Sequence, residues 1–206
     1  MLIEAQGYIA EANYSEAIRT LDAIVAIDPN FQPQQVNGLL FNSLTARAEL
    51  LFISGGSLAE AIQLTNRAEE YGDIGSLNFE RGVAQLYLNA LPYLDVNYAE
   101  AIRLLTQVRN LSPNYRDSVS LLLDQYIAYG DALVASGDAC SAGQQYAAAL
   151  QLAPQNQSVV QKQSEAQAVC NGLATPAGTV DPNATPATAD PNLPTATPGI
   201  APVGQQ

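Results

Sequence analysis

Apolar residues recur along this chain at the three- and four-residue spacing of a helix face, in blocks that look alike. Residues 13–30, NYSEAIRTLDAIVAIDPN, place Ala17, Leu21, Ile24, Val25 and Ile27 on one side. Residues 97–114, NYAEAIRLLTQVRNLSPN, do the same with Ala101, Leu105, Val108 and Leu111. A third copy spans 138–155. A fourth, 57–71, keeps Ala61 but lacks the proline that closes the others at Pro29, Pro113 and Pro154. The blocks open on Asn13, Ser57, Asn97 and Asp138, residue types that cap a helix N-terminus. Three carry Glu at the third helical position (Glu16, Glu60, Glu100), the capping-box arrangement. Each block is therefore predicted as a helix of about fourteen residues, with the proline as its stop in the three copies that carry one. Such a helix is marginal alone and must bury its stripe on a neighbour.

The segments between the blocks supply that neighbour. Residues 1–10, 34–53, 77–90 and 116–136 also read as helices, and the small residues Gly7, Ala48, Gly82 and Gly130 recur in them. The matching small residues of the blocks are Ala17, Ala61, Ala101 and Ala142. Small residues on both sides predict close helix approach, so the unit is a helical hairpin used four times. Residues 158–169 form one more amphipathic segment, suited to cover the open end of the last hairpin.

This order of residues resembles the tetratricopeptide repeat (TPR) family. Gly130, Leu133, Gly137, Ala142, Tyr146, Ala149 and Pro154 fall in that pattern's order and spacing, and Ala5, Tyr8, Ala17, Leu21, Ile24 and Pro29 follow it in the first repeat. The likeness covers about residues 1–172. The marker alanines lie 44, 40 and 41 residues apart, against about 34 in the family. Longer first helices in repeats two and four, and an insertion LPYLDV in repeat three, account for the difference. A HEAT-like array has such a period but leaves the alanine-to-proline spacing unexplained. The resemblance implies an all-α, TPR-like helical-hairpin solenoid of about four repeats plus a capping helix, with a concave groove lined by first helices. The groove positions it assigns are Leu2, Gln6 and Ile9 in repeat one and Asp124, Ile127, Asp131, Val134 and Ala135 in repeat four. Family members that clamp a C-terminal carboxylate use Lys, Arg and Asn there. Asp, Gln and aliphatic residues suit an extended apolar or Pro-rich peptide instead.

Composition divides the chain in two. Residues 1–172 form the helical domain. Residues 173–206 are rich in Ala, Thr and Pro, without aromatic or basic residues, and cannot build a core. This stretch is expected to be an extended tail, similar in composition to the Thr/Pro-rich tails of bacterial surface proteins. Thr185, Thr188, Thr195 and Thr197 are candidate O-glycosylation sites. Asn13, Asn156 and Asn183 begin N-x-Ser/Thr sequons.

Charge and residue types narrow the chemistry. The net charge is −12 with eight basic residues and no histidine. Nucleic acid and anionic membrane surfaces are not expected as partners. No apolar run reaches the ~18 residues that span a bilayer. Without histidine there is no His-based acid–base pair or triad, and neither a zinc, Walker nor EF-hand motif is present. No catalytic residue, metal or cofactor is therefore expected, and the chain is read as no enzyme. The two cysteines stand at the start of the last block (Cys140) and the end of the capping segment (Cys170). Antiparallel packing would join them in a disulfide worth ~3–4 kcal/mol in the chain-entropy model; unpaired, they are two ordinary helix-end thiols. A bridge implies an oxidising, extracytoplasmic compartment or the cell surface. The chain opens inside its first helix without the features of a signal peptide, so a trimmed chain is expected, with any signal or anchor outside it.

Two functions fit this profile. The first is an interaction scaffold that binds an extended protein or peptide segment in its groove. The alternative is a self-assembling subunit of an extracellular filament or surface layer, in which the tail docks on a neighbouring copy, a heterologous contact that generates rings or filaments.

Overall fold

The computed structural model describes residues 1–173. These residues contain nine α-helices, one short 3-10 helix (Leu91–Tyr93) and no strand. The α-helices are α1 (Leu2–Ala10), α2 (Tyr14–Ile27), α3 (Pro33–Ile53), α4 (Leu58–Ala68), α5 (Leu77–Ala90), α6 (Tyr98–Leu111), α7 (Ser118–Ala135), α8 (Ala139–Leu152) and α9 (Gln157–Cys170). The tail sites Asn183, Thr185, Thr188, Thr195 and Thr197 lie outside the described residues.

The expected caps form. The side chains of Asn13, Ser57, Asn97 and Asp138 accept the backbone N–H three residues on, at the start of α2, α4, α6 and α8. Each such cap is worth about 1 kcal/mol. The reciprocal half of the capping box does not hold. The Glu16, Glu60 and Glu100 carboxylates turn to Arg19, Arg47 and Arg103, because a charged guanidinium within reach is a stronger partner than a backbone amide.

Two kinds of connection alternate. Helices α1, α3, α7 and α9 end in the same left-handed turn, with Ala12, Gly55, Gly137 and Gly172 at positive φ. In α7, the Asp138 N–H reaches back to the Leu133 carbonyl at 2.9 Å and the Gly137 N–H to that of Val134 at 3.0 Å, a Schellman motif. Asp138 is then the cap of α8, so one residue ends the first helix and starts the second. Asn13 does the same between α1 and α2. Helices α2, α6 and α8 end differently, on non-helical residues at negative φ (Asp28, Ser112, Ala153) followed by the closing prolines.

Helices pack chiefly on their sequence neighbours, and α1 also touches α3 and α3 touches α5. The core is accordingly a relay. Ile18, Leu21, Leu40 and Leu44 fill its first section, Val83, Tyr87 and Val108 the next, then Leu104, Leu105 and Leu122, and Tyr146, Ala149 and Val159 the last. The marker alanines Ala17, Ala61, Ala101 and Ala142 are all fully buried. Among the first-helix small residues, Ala48 is buried and Gly130 sits against the Tyr146 ring, where an added Cβ would lie 2.5 Å from it. Gly7 and Gly82 do not mediate close approach. Both are exposed, and a Cβ on either would meet nothing within 4 Å; Ala5 and Ala84 take the buried places. Ile27 and Leu111, expected on buried stripes, are 74% and 48% exposed; each is the last residue of its helix.

Polar contacts hold the irregular parts. The LPYLDV insertion is pinned to α7 by Gln125, a buried side chain. Its Oε1 accepts the Asp95 backbone N–H and its Nε2 donates to Asp95 Oδ1, both at 3.0 Å. Arg116 donates to the Gly55 and Gly56 carbonyls at 3.2 and 2.9 Å, tying the turn before α7 to the turn before α4. Arg67 pairs with Asp22 across from α4 to α2, and Arg81 grips Glu69 with two bonds of 2.7 Å. Tyr98, at the start of α6, stacks on Tyr129 of α7 with ring centroids 5.6 Å apart.

Candidate functional site

The cysteines meet. Cys140 opens α8 and Cys170 closes α9, and the disulfide between them spans 4.9 Å from Cα to Cα. Because the loop 153–156 joins the other ends of the same helices, α8 and α9 run antiparallel. Both cysteines face solvent. The pair is compatible with an oxidising environment.

Beside this staple lies a cavity of about 250 Å³ between the end of α7, the α7–α8 turn and α9. Val134, Ala139, Ala166 and Val169 make its apolar wall, and Gly137 lies at the turn. Tyr146 reaches it from α8. Its hydroxyl donates to Asp131 Oδ1 at 2.7 Å, and burial, followed by this bond, pushes the phenol well above its ordinary value. The Lys162 ammonium donates to both Asp131 oxygens at 2.7 and 2.6 Å. One carboxylate thus ties α7 to α8 and α9. It is satisfied by these partners, which leaves Glu165 and the third Lys162 donor as the polar features of the rim.

The groove residues assigned by resemblance are dispersed. Asp131 and Val134 meet in this cavity. Asp124 and Ala135 are exposed elsewhere on α7, and Ile127 packs half-buried on the last section of the core. In the first hairpin, Leu2 borders a second, open notch of about 400 Å³ with Met1, Ile24, Ile27 and Phe31, while Gln6 is exposed and Ile9 half-buried. Sequence reasoning missed Lys162, Glu165, Ala166 and Val169, having treated α9 as a cover alone. The signal was there: Lys162 is the only lysine of the chain, on a helix with little else to anchor it. The sequon residues Asn13 and Asn156 are both helix caps, accepting from the Glu16 and Val159 N–H groups at 3.5 and 3.3 Å.

Seven of the eight basic side chains are engaged: five arginines in ion pairs, Arg116 on carbonyls and Lys162 on Asp131. Among the described residues, no group of three or more His, Cys, Asp or Glu could hold a metal ion, and no helix is long and apolar enough to cross a membrane. Compared with known proteins, the chain matches no family model, and no curated protein or solved structure is significantly similar to it.

Proposed function

We propose that this chain is a non-enzymatic interaction scaffold: a TPR-like solenoid of four helical hairpins with α9 as its cap, working outside the cytoplasm and holding an extended segment of another protein. The observation that carries this reading is the α7–α9 cavity. Its wall is aliphatic, its carboxylate is already neutralised by Lys162, and its size suits one or two branched or prolyl side chains rather than a folded surface. The relay of core sections and the alternation of two turn types support the solenoid. The solvent-facing disulfide supports the compartment.

Selection of linear peptides from a displayed library on the oxidised chain tests the reading. The enriched sequences should be aliphatic- and Pro-rich, and Val134→Lys should weaken them about tenfold, the cost of losing a contact of about 1.4 kcal/mol. Its melting temperature should hold, because Val134 is 37% exposed. Failure to enrich any peptide, or peptides indifferent to Val134, sinks the reading.

Self-assembly remains the second reading, and one observation favours it. The first hairpin leaves Met1 (53% exposed), Ile27 and Phe31 facing solvent around the notch. Light scattering across a concentration series should then show growing particles that Ile27→Glu abolishes. A constant monomer mass rules assembly out under those conditions.

A further inference from the structure

Resting on the α7–α9 cavity as a segment-binding site, we infer that the segment it takes belongs to a different protein and carries a Lys or Arg within two residues of the aliphatic side chain that fills the cavity, with Glu165 receiving the cation. The charges on the rim point there first. Lys162, Glu165, Ala166 and Val169 stand at i, i+3, i+4 and i+7 on α9 and share the helix face that borders the cavity. Lys162 uses two donors on Asp131, so those two charges cancel. Glu165 is exposed and accepts from the neutral Gln161 amide, 2.8 Å to Oε1; among the described residues it joins no ion pair. The rim therefore bears one uncompensated negative charge, one helical turn from Val169.

That charge selects among segments. An aliphatic side chain seated against Ala166 and Val169 removes water from the neighbouring carboxylate. A neutral segment offers no replacement, and an unpaired carboxylate stripped of water is costly. An acidic segment, or a chain-terminal carboxylate, meets repulsion from Glu165 and finds Lys162 already engaged. A Lys or Arg replaces the lost water with a charge-assisted hydrogen bond. The third donor of Lys162 suits a carbonyl of the passing backbone. One helical turn is about 5.4 Å and an extended residue spans about 3.3 Å, so the cation belongs one or two residues from the aliphatic anchor.

This chain does not supply such a segment itself. Seven of its eight basic side chains are engaged within the helical domain, the eighth, Arg109, is part of α6, and residues 174–206 contain none. With a net charge of −12, the protein also attracts a basic partner over distance.

The test is a selection from a library of random linear peptides on the full oxidised chain, run in parallel on Glu165→Gln, Glu165→Lys and Asp124→Asn. Asp124 is exposed on α7, seven residues and about 10 Å before Asp131, and controls for net charge. Peptides from the unaltered chain should carry Lys or Arg within two positions of an aliphatic residue. Glu165→Gln should keep the aliphatic preference, lose the basic one, and bind the best of these peptides about two- to fivefold more weakly, the range of an exposed ion pair. Glu165→Lys should select Asp or Glu at the same positions, and Asp124→Asn should select as the unaltered chain does. Glu165→Gln is close in shape, so it decides the matter even where Glu165→Lys fails to fold. Aliphatic peptides without a basic preference on the unaltered chain overturn the inference and leave the segment-binding reading standing. A basic preference that survives Glu165→Gln, or that Asp124→Asn removes equally, also overturns it, because the cation then answers to net charge alone. If no peptide is enriched on any of the four chains, the segment-binding reading falls with it.

Discussion

Removing the Cys140–Cys170 bridge should release one helix, not unfold the protein. Helix α9 has little of its own to hold it. Val159 and Ala166 are its only buried residues, whereas α2 buries five. Beyond them it has its Asn156 cap and the exposed Lys162–Asp131 pair. The bridge joins residues 30 apart, so the chain-entropy model assigns it about 3.6 kcal/mol. That loop consists of α8, the turn and α9. Since α8 is also packed on α7, the constraint acts almost wholly on whether α9 is docked or free. Converted to an equilibrium constant, 3.6 kcal/mol makes undocking of α9 roughly 400-fold more frequent in the Cys140→Ser/Cys170→Ser chain. Hydrogen exchange followed peptide by peptide measures this: amides in α9 should exchange about that much faster, while α2 to α6 keep their protection. Unchanged protection in α9 would refute the reasoning by showing that packing alone holds the helix. A parallel loss over all helices would refute it too, by showing that the relay core unfolds as one unit.

Glycine and alanine exchanges should act in opposite directions according to site. Ala12 holds φ 55° in the turn where the matching helices use glycine, so Ala12→Gly should stabilise by about 1 kcal/mol in urea titration, the strain of an L-residue in that region. Gly130→Ala should destabilise by about 1–3 kcal/mol because its Cβ meets the buried Tyr146 ring, whereas Gly82→Ala, with open space, should stabilise by about 0.5–1 kcal/mol. Burial and the bond to Asp117 push Tyr87 up to about 12, and Tyr146 is raised in the same way. A phenol raised in the folded state contributes stability that is whole below the ordinary value of about 10 and lost as pH rises toward 12. Tyrosinate absorbance and circular dichroism should therefore show Tyr87 and Tyr146 ionising only together with unfolding; ionisation of all ten tyrosines in a folded protein contradicts the burial. Gln125→Ala should cost about 1–3 kcal/mol by leaving the Asp95 amide unpaired, and a double-mutant cycle with Asp95→Ala should show coupling.

What could be read in the sequence was what depends on near neighbours. A cap is a bond from residue i to i+3, so Asn13, Ser57, Asn97 and Asp138 announced four helix starts without any knowledge of the fold. The marker alanines were legible because repetition exposed them. Gly7 and Gly82 misled for the opposite reason. A glycine reports only that a side chain is missing, and closeness depends on what stands opposite: Tyr146 opposite Gly130, nothing opposite Gly82. The Asp95–Gln125 pair joins residues 30 apart and has no local signature. The cavity was hidden in the same way, because α7 and α9 border it from either side of the helix that separates them in the chain. Half its wall lies on a helix whose amphipathic pattern suggested only a cover.

The same placement joins two features that the sequence lists separately. The disulfide fixes the last turn of α9, and that turn supplies Val169 to the cavity. Whenever α9 undocks after the bridge is opened, Lys162, Glu165, Ala166 and Val169 leave with it, so the cavity loses a wall while Asp131 loses its cation but keeps the Tyr146 bond. Asp131 would then present an uncompensated carboxylate where the oxidised protein presents an aliphatic pocket. If the cavity binds an apolar segment as proposed, that binding and the integrity of the bridge are one linked equilibrium. Any ligand that uses the α9 wall must protect the disulfide from reduction by the same factor by which the disulfide strengthens its binding.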